Sequence, residues 1–279
     1  MRLTTVAAWA ALVAAHAAAP ARVLAQLPHP RSADYLTVAA VDDARAAWVN
    51  PAGLARVLEA SIMAEAVVDR LPETALAQYT VGMNSRGFSV SFARDRTPDT
   101  LPVSMTRFAL GLPFPRGSVG VGVTLFRASA HDEGVDLGLH YRLARALDVA
   151  AVVRHIGRPA ARGTEAPLMG LVGARWRTQP SLVTVDGEVL AADSGDGRAA
   201  IRYRGMLRLL TPGRSRRVEV LTGVELAGGR VERWVLGIGL ATTGWVGSVG
   251  GASRAFGLGR PDRFSVTGVQ SHRAPAAAR

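Results

Sequence analysis

From about residue 61 the chain alternates apolar and polar side chains with a period of two. In Ser118 to Ala128, Val119, Val121, Val123 and Leu125 share one face, while Gly120, Gly122, Thr124 and Phe126 share the other. Val135, Leu137, Leu139, Tyr141 and Leu143 oppose Asp136, Gly138, His140 and Arg142. Ile201, Tyr203, Leu207 and Leu209 oppose Arg202, Arg204 and Arg208, and Val218, Val220, Val224 and Leu226 oppose Glu219 and Glu225. That period belongs to a strand with unlike surroundings on its two sides, and a one-residue slip would exchange the faces. About fourteen such segments follow one another. They run near 61–69, 75–84, 88–94, 104–113, 118–128, 135–144, 147–156, 168–178, 182–190, 200–209, 218–227, 233–241, 245–252 and 263–270.

Two architectures bury such faces: a soluble sandwich, or a transmembrane barrel with its apolar face turned to lipid. Strands of about ten residues suit a tilted membrane crossing, whereas soluble strands run nearer five or six. Tight connections (84–87, 116–117, 144–146, 179–180, 242–244) alternate with long ones (94–103, 157–167, 191–199, 254–262). Outer-membrane barrels have short turns on one side and longer loops on the other. The connections 70–74 and 213–217 break the alternation. Phe114, Trp176 and Trp234 lie on the apolar face toward strand ends, where an interfacial girdle sits. The pattern therefore predicts an all-β fold, a transmembrane antiparallel up-and-down barrel of about fourteen strands over 59–270, with both termini at the short-turn end.

A barrel of that size is wider than one its own side chains can fill. The spare material is residues 26–58, with a short helical stretch at its centre. Asp42 or Asp43 is suited to cap that helix, and Ala44, Ala46 and Ala47 to propagate it. Pro51 excludes Asn50 from helical geometry and ends it. Asn50 can bond nearby backbone, and Gly53 permits a left-handed turn. This segment is expected to plug the barrel, with Asn50 and Pro51 at the lumen and bonded to the wall.

The run Asp42-Asp43 followed by Trp48-Val49-Asn50-Pro51-Ala52-Gly53-Leu54 resembles the N-terminal signature of the FadL-like and PorV-like outer-membrane barrels. The resemblance implies a fourteen-stranded barrel with an N-terminal hatch. It also implies passive transport of small hydrophobic molecules, or, for the PorV-like branch, binding of secreted proteins within a secretion system. A purely structural barrel is the third reading. The chain is short for either subgroup. Its last apolar segment, Phe264 to Val269, is followed by residues 271–279, expected as a disordered tail, whereas the family's barrels often end on an aromatic.

Ahead of the hatch, Met1-Arg2 and the apolar run Val6 to Ala19 read as a secretory signal peptide over 1–25, cleaved after Ala25. The run is about 14 residues, short of the ~20 of a spanning helix. The address is the cell outer membrane, with outer-membrane lipid and the barrel-assembly machinery as expected partners. The net charge is +11, and every one of the 33 basic residues is arginine. They are spread along the strands rather than gathered in a basic arm, so nucleic acid is not an expected partner. The chain has no cysteine, which excludes thiol catalysis, disulfides and a lipoprotein anchor. The histidines show no paired spacing, so no metal, cofactor or enzymatic activity is expected.

The remaining candidate residues are charges on the polar faces. Arg107, Arg142, Arg154, Arg202, Arg204 and Arg208 are expected in the lumen, with Asp136, Asp148, Asp186, Glu188, Glu219 and Glu225. Either they pair with one another and anchor the hatch, or they form a charged lumen that binds a polar head group or biases ion passage.

Overall fold

The computed structural model describes residues 30, 33, 35–56, 60–69, 75–96, 102–127, 133–161, 164–178, 182–193, 199–211, 216–242, 245–253 and 263–272. The signal-peptide reading falls outside them. The barrel strands are β1 (Ala60–Asp69), β2 (Ala75–Ser85), β3 (Phe88–Asp95), β4 (Val103–Phe114), β5 (Gly117–Arg127), β6 (Glu133–Ala144) and β7 (Leu147–Ile156). After a short pair, β8 (Ala160–Ala161) and β9 (Thr164–Glu165), come β10 (Met169–Arg177), β11 (Val183–Asp193), β12 (Ala199–Leu210), β13 (Arg216–Ala227), β14 (Arg230–Thr242), β15 (Trp245–Ser253) and β16 (Arg263–His272). The fourteen barrel strands follow one another around a closed sheet. Antiparallel pairing of β1 with β16, Ala60 opposite His272 through Asp69 opposite Arg263, seals it. The fold class is the one the alternation predicts: all-β, an antiparallel up-and-down barrel.

The faces explain why the sequence alternates. Ile62, Val81, Met83, Leu137, Leu139, Val172, Leu236, Ile238 and Leu240 are exposed on the outside. Their neighbours Ser61, Met63, Thr80, Asp136, His140, Leu171, Val235 and Arg107 are buried. A soluble barrel with so wide an exposed apolar band would aggregate, whereas a lipid-facing one requires it. Among the described residues no helix is long and apolar enough to cross a membrane.

Three expectations need correction. Of the tail expected over 271–279, Ser271 and His272 belong instead to β16 and pair with Ser61 and Ala60, and 273–279 lie outside the described residues. The N-terminal helix, α1, is a single turn, Ala46–Val49, and no side chain caps it. Asp43 instead accepts hydrogen bonds from the backbone N–H and guanidinium of Arg45, an Asx turn rather than a cap. Gly53 has no left-handed backbone. A Cβ there would collide with the Val41 carbonyl oxygen at 2.5 Å and the Ala46 Cβ at 3.0 Å, so close packing is what demands glycine.

Candidate functional site

Residues 36–55 run through the barrel interior. Asn50 is extended (φ −154°, ψ 106°), as a residue before proline must be, and the chain continues as a 3-10 helix, Pro51–Arg56. Except at Asp42, Asp43 and Arg45, the stretch from Leu36 to Ala55 is buried. It packs on three parts of the wall. Leu36, Val41, Trp48, Val49 and Leu54 meet Met63, Ala93, Val103, Met105, Ala109 and Val269. Val38 and Ala39 meet Ala150, Val152, Met169, Leu171, Leu190 and Ala192. Tyr35 packs against Met206, Leu221 and Val235. Trp48 also lies under the Arg107 guanidinium, 5.5 Å from its ring centre.

A segment with little regular structure leaves its backbone polar groups to find other partners. The wall supplies them. Arg175 donates to the Ala40 carbonyl at 2.9 Å and Arg204 to that of Leu36 at 3.4 Å. Arg107 donates to the Ala47 carbonyl and Arg154 to that of Val49. Ser118 donates to the Ala52 carbonyl at 2.7 Å. In the other direction the Val38 N–H donates to Glu188 at 2.7 Å, and the Ala44 N–H to Ser61 at 2.9 Å.

Asn50 is the hub of the proline turn. Its side-chain amide donates to the Val38 carbonyl at 3.0 Å and to the Leu139 carbonyl of β6 at 3.3 Å. Its Oδ1 accepts from the Ala52 N–H at 3.0 Å. One side chain thereby joins two parts of the segment and the wall.

The 3-10 turn sits against a row of glycines. Gly111 of β4 lies opposite Gly120 of β5, which lies opposite Gly138 of β6. A Cβ on Gly111 would stand 2.7 Å from the Ala55 nitrogen and 2.9 Å from the Pro51 carbonyl oxygen. A Cβ on Gly120 would strike Pro51 and Ala52, and one on Gly138 the Asn50 Oδ1. The bare backbone of three adjacent strands is therefore the bed of the Asn50–Ala55 stretch. Next in register, Gly122 leaves room for the guanidinium of Arg107.

The interior charges named from the sequence are ion-paired, except Arg154, which is bonded to the Val49 carbonyl. Arg107 pairs with Asp136 at 2.7 Å, Arg175 with Asp186 at 3.3 Å, Arg202 with Glu225 at 3.1 Å and Arg208 with Glu219 at 2.9 Å. Arg204 reaches Glu188 at 3.5 Å and Glu225 at 3.6 Å. Asp148, fully buried, receives Arg177 at 2.8 Å and Arg142 and Arg56 at 3.4 Å each. Arg56, the last residue of the 3-10 turn, thus ties the segment to β7. Arg45 and Asp43 pair within the segment at 2.6 Å. Burial pushes the Asp43 carboxyl up, but the adjacent Arg45 outweighs it and holds the group below the usual carboxylate range.

All twelve polar-face charges singled out from the sequence lie on the inner side. Arg142 stands half-exposed at the short-turn opening. Of the N-terminal motif, Trp48, Asn50, Pro51, Ala52 and Gly53 are buried, Asp43 is partly covered and Asp42 is exposed. Sequence reasoning missed Arg175, Arg177 and Arg56, the serines Ser61 and Ser118, and the glycine row. Arg175 and Arg177 alternate with the lipid-facing Trp176, so the same period-two signal marks them.

No family model matches the chain, and no curated protein matches it. Solved structures with the same fold include two TodX monoaromatic hydrocarbon channel variants. The deltaS2S3 mutant is 10% identical with a TM-score of 0.51, covering 83% of this chain and 95% of that one. The deltaS2 mutant is 10% identical with a TM-score of 0.51, covering 84% and 94%. The KdgM porin aligns at 10% identity over 76% of this chain and 99% of its own, with a TM-score of 0.43. The similarity that reaches a TM-score of 0.5 is to the TodX outer-membrane barrels, and it is one of fold.

Proposed function

We propose that the chain is an outer-membrane barrel that passes small hydrophobic molecules by passive diffusion, with residues 26–58 acting as a hatch. The carrying observation is the lining beneath that segment. Inward-facing Met63, Met105, Met169, Leu171, Met206 and Leu221 are all buried, and four of the chain's six methionines are among them. A water-filled pore has a polar interior. Thioether side chains repack readily around apolar guests of varied shape. With the segment displaced, the lumen would offer these side chains to an apolar solute. The fold shared with the TodX channels supports the barrel part of this reading, and the cargo class rests on the lining.

The test is uptake of a small aromatic hydrocarbon by proteoliposomes, with and without residues 26–58. Faster uptake on deletion supports a hatch; unchanged uptake with an intact barrel removes it. The density of anchoring favours a second reading, in which the segment is a permanent core and the barrel is structural. Uptake no greater than in protein-free vesicles, in both forms, would favour that reading.

A further inference from the structure

The two ends of the barrel differ in charge. The three adjacent turns between β2 and β3, β4 and β5, and β6 and β7 each carry an arginine: Arg86, Arg116 and Arg145, all exposed. Arg142 stands beside them. Residues 85–88, 114–117 and 144–147 include no carboxylate. The nearest one, Asp148, is buried, faces the lumen and already holds three guanidinium groups. Among the described residues the opposite end is mixed: Arg158 is matched by Asp193 at 2.5 Å, and the strand ends there carry Glu133, Glu165 and Glu232 as well as Arg96 and Arg230.

Backbone strain points the same way. Four non-glycine residues among those described have a left-handed backbone, and two of them are Arg86 (φ 48°) and Arg116 (φ 64°). Tight hairpin turns ordinarily place Gly, Asn or Asp at such positions, and a branched or long side chain there costs about 1 kcal/mol. An arginine at that cost, with no ion-pair partner among the described residues to offset it, points to a partner outside the chain.

The level of these arginines says what that partner is. Just inside the turns, on the outer face, stand Phe88, Phe114 and Trp176, each substantially exposed. Aromatic side chains on the outside of a barrel mark the head-group level of the bilayer. Arginines immediately beyond that level meet lipid phosphates, which a guanidinium binds bidentately.

We propose that the short-turn rim from β2 to β7 is a binding surface for anionic phospholipid head groups, with Arg86, Arg116 and Arg145 as the phosphate ligands. The surface rests on the membrane-barrel reading and is independent of any transport. Heat-modifiable gel migration of each variant checks the barrel separately from the rim.

The experiment uses the full chain reconstituted in phosphatidylcholine vesicles doped with brominated phosphatidylglycerol or brominated phosphatidylcholine. Tryptophan quenching, to which Trp176 beside the rim contributes, reads the relative affinity. The expected preference for phosphatidylglycerol is about five-fold, the effect of one arginine at a lipid surface, and more if two ligands share a head group. R86Q/R116Q/R145Q should abolish it, whereas R96Q/R230Q at the other end should leave it intact. R86G/R116G is the decisive variant. Glycine suits the left-handed backbone, so the barrel should become harder to unfold while the preference falls. No preference in the native chain, or a preference that survives in a folded R86G/R116G protein, overturns the proposal. Equal binding of inorganic phosphate in detergent micelles, without head-group preference in vesicles, would assign the rim to free anions and also overturn it.

Discussion

Replacing Gly111 with alanine separates the N-terminal segment from the barrel that holds it. Gly111 sits in β4 with ordinary strand geometry, so alanine is acceptable to its backbone. The added Cβ would lie 2.7 Å from the Ala55 nitrogen, 2.9 Å from the Pro51 carbonyl oxygen and 3.1 Å from the Ala55 Cβ. Two of these contacts are with backbone, which cannot rotate away. Overpacking of this kind costs about 1–3 kcal/mol. The clash exists only while Pro51–Ala55 is seated. The barrel alone would gain ~0.4–1 kcal/mol, because alanine narrows the unfolded ensemble. The two effects have opposite signs, so the variant should keep or slightly raise the barrel's resistance to unfolding. Its unseated population should rise by roughly 5–150-fold. Because the chain has no cysteine, Ala40→Cys, at a buried position of the segment, gives a single reporter. Its rate of labelling by a membrane-impermeant maleimide measures unseating. Gly205→Ala is the control, since nothing lies within 4 Å of the Cβ it would add. Labelling of G111A/A40C at the rate of A40C alone, with the barrel intact by gel migration, would refute the glycine-bed argument.

Asn50→Ala removes the amide that joins Val38, Leu139 and Ala52 and leaves buried carbonyls without a donor, a loss of about 1–3 kcal/mol in seating. Asn50→Asp should be worse, because its carboxylate faces two carbonyl oxygens, and the Ala40→Cys labelling rate orders the three proteins. Arg107→Ala strands Asp136 in the interior and should destabilise the chain by ~3–5 kcal/mol, whereas R107A/D136A should recover much of that; urea midpoints of the folded gel band provide the comparison. Asp43, whose carboxyl is held below its usual range by Arg45, binds its proton less readily in the folded protein than in the unfolded chain. Its contribution to folding is therefore full above the ordinary carboxylate value of 3.8 and is lost as pH falls through the lower, folded value. The urea midpoint of the folded gel band should fall below about pH 4 in the native protein and less so in Asp43→Asn. Ile238→Arg, on the outer face, should cost about 2–4 kcal/mol in bilayers if that face meets lipid near the midplane; a neutral effect would argue against the orientation.

The wall was legible in the sequence because its rule is local. Each strand must show lipid one face and the interior the other, so Val119, Val121 and Val123 announce their side without knowledge of any neighbour. The same rule placed Arg202, Arg204 and Arg208 inward. The seating of residues 36–55 was not legible, for a physical reason. Its anchors are mostly backbone carbonyls, at Leu36, Ala40, Ala47, Val49 and Ala52, and a carbonyl has no sequence signature. The glycines of β4, β5 and β6 were visible one strand at a time, but only the register puts Gly111, Gly120 and Gly138 in a row. Gly53 was misread because a turn glycine and a crowded glycine look alike until the neighbouring atoms are known. Asp43 was misread because the helix it was expected to cap is only one turn long.

The interior charges posed a choice between mutual pairing with anchoring and a lumen open to charged solutes. In the seated state the geometry favours the first, through a property of arginine. A carboxylate accepts one guanidinium edge, leaving other N–H groups of the same planar fork free to donate elsewhere. Arg107 uses Nη2 on Asp136, Nη1 on Thr124 and Nε on the Ala47 carbonyl. Arg175 stands against Asp186 while Nη1 holds the Ala40 carbonyl. Arg204 does the same between Glu188 and Leu36. A lysine ammonium offers three donors from a single point and spans such a set poorly. The charge pairs keep Arg107, Arg175 and Arg204 neutralised and aimed whether or not the segment is present, so unseating would free carbonyls and a few N–H groups, part Arg56 from Asp148 and take the Val49 carbonyl from Arg154. That keeps the polar part of the unseating energy near that of several hydrogen bonds, about 0.5–1.5 kcal/mol each net, while the apolar part comes from Leu36, Val38, Trp48 and Leu54, about 1.5–3 kcal/mol for each large side chain taken back into water. That sum decides between the proposed hatch and a permanent core, and the uptake comparison with and without residues 26–58 reads which it is.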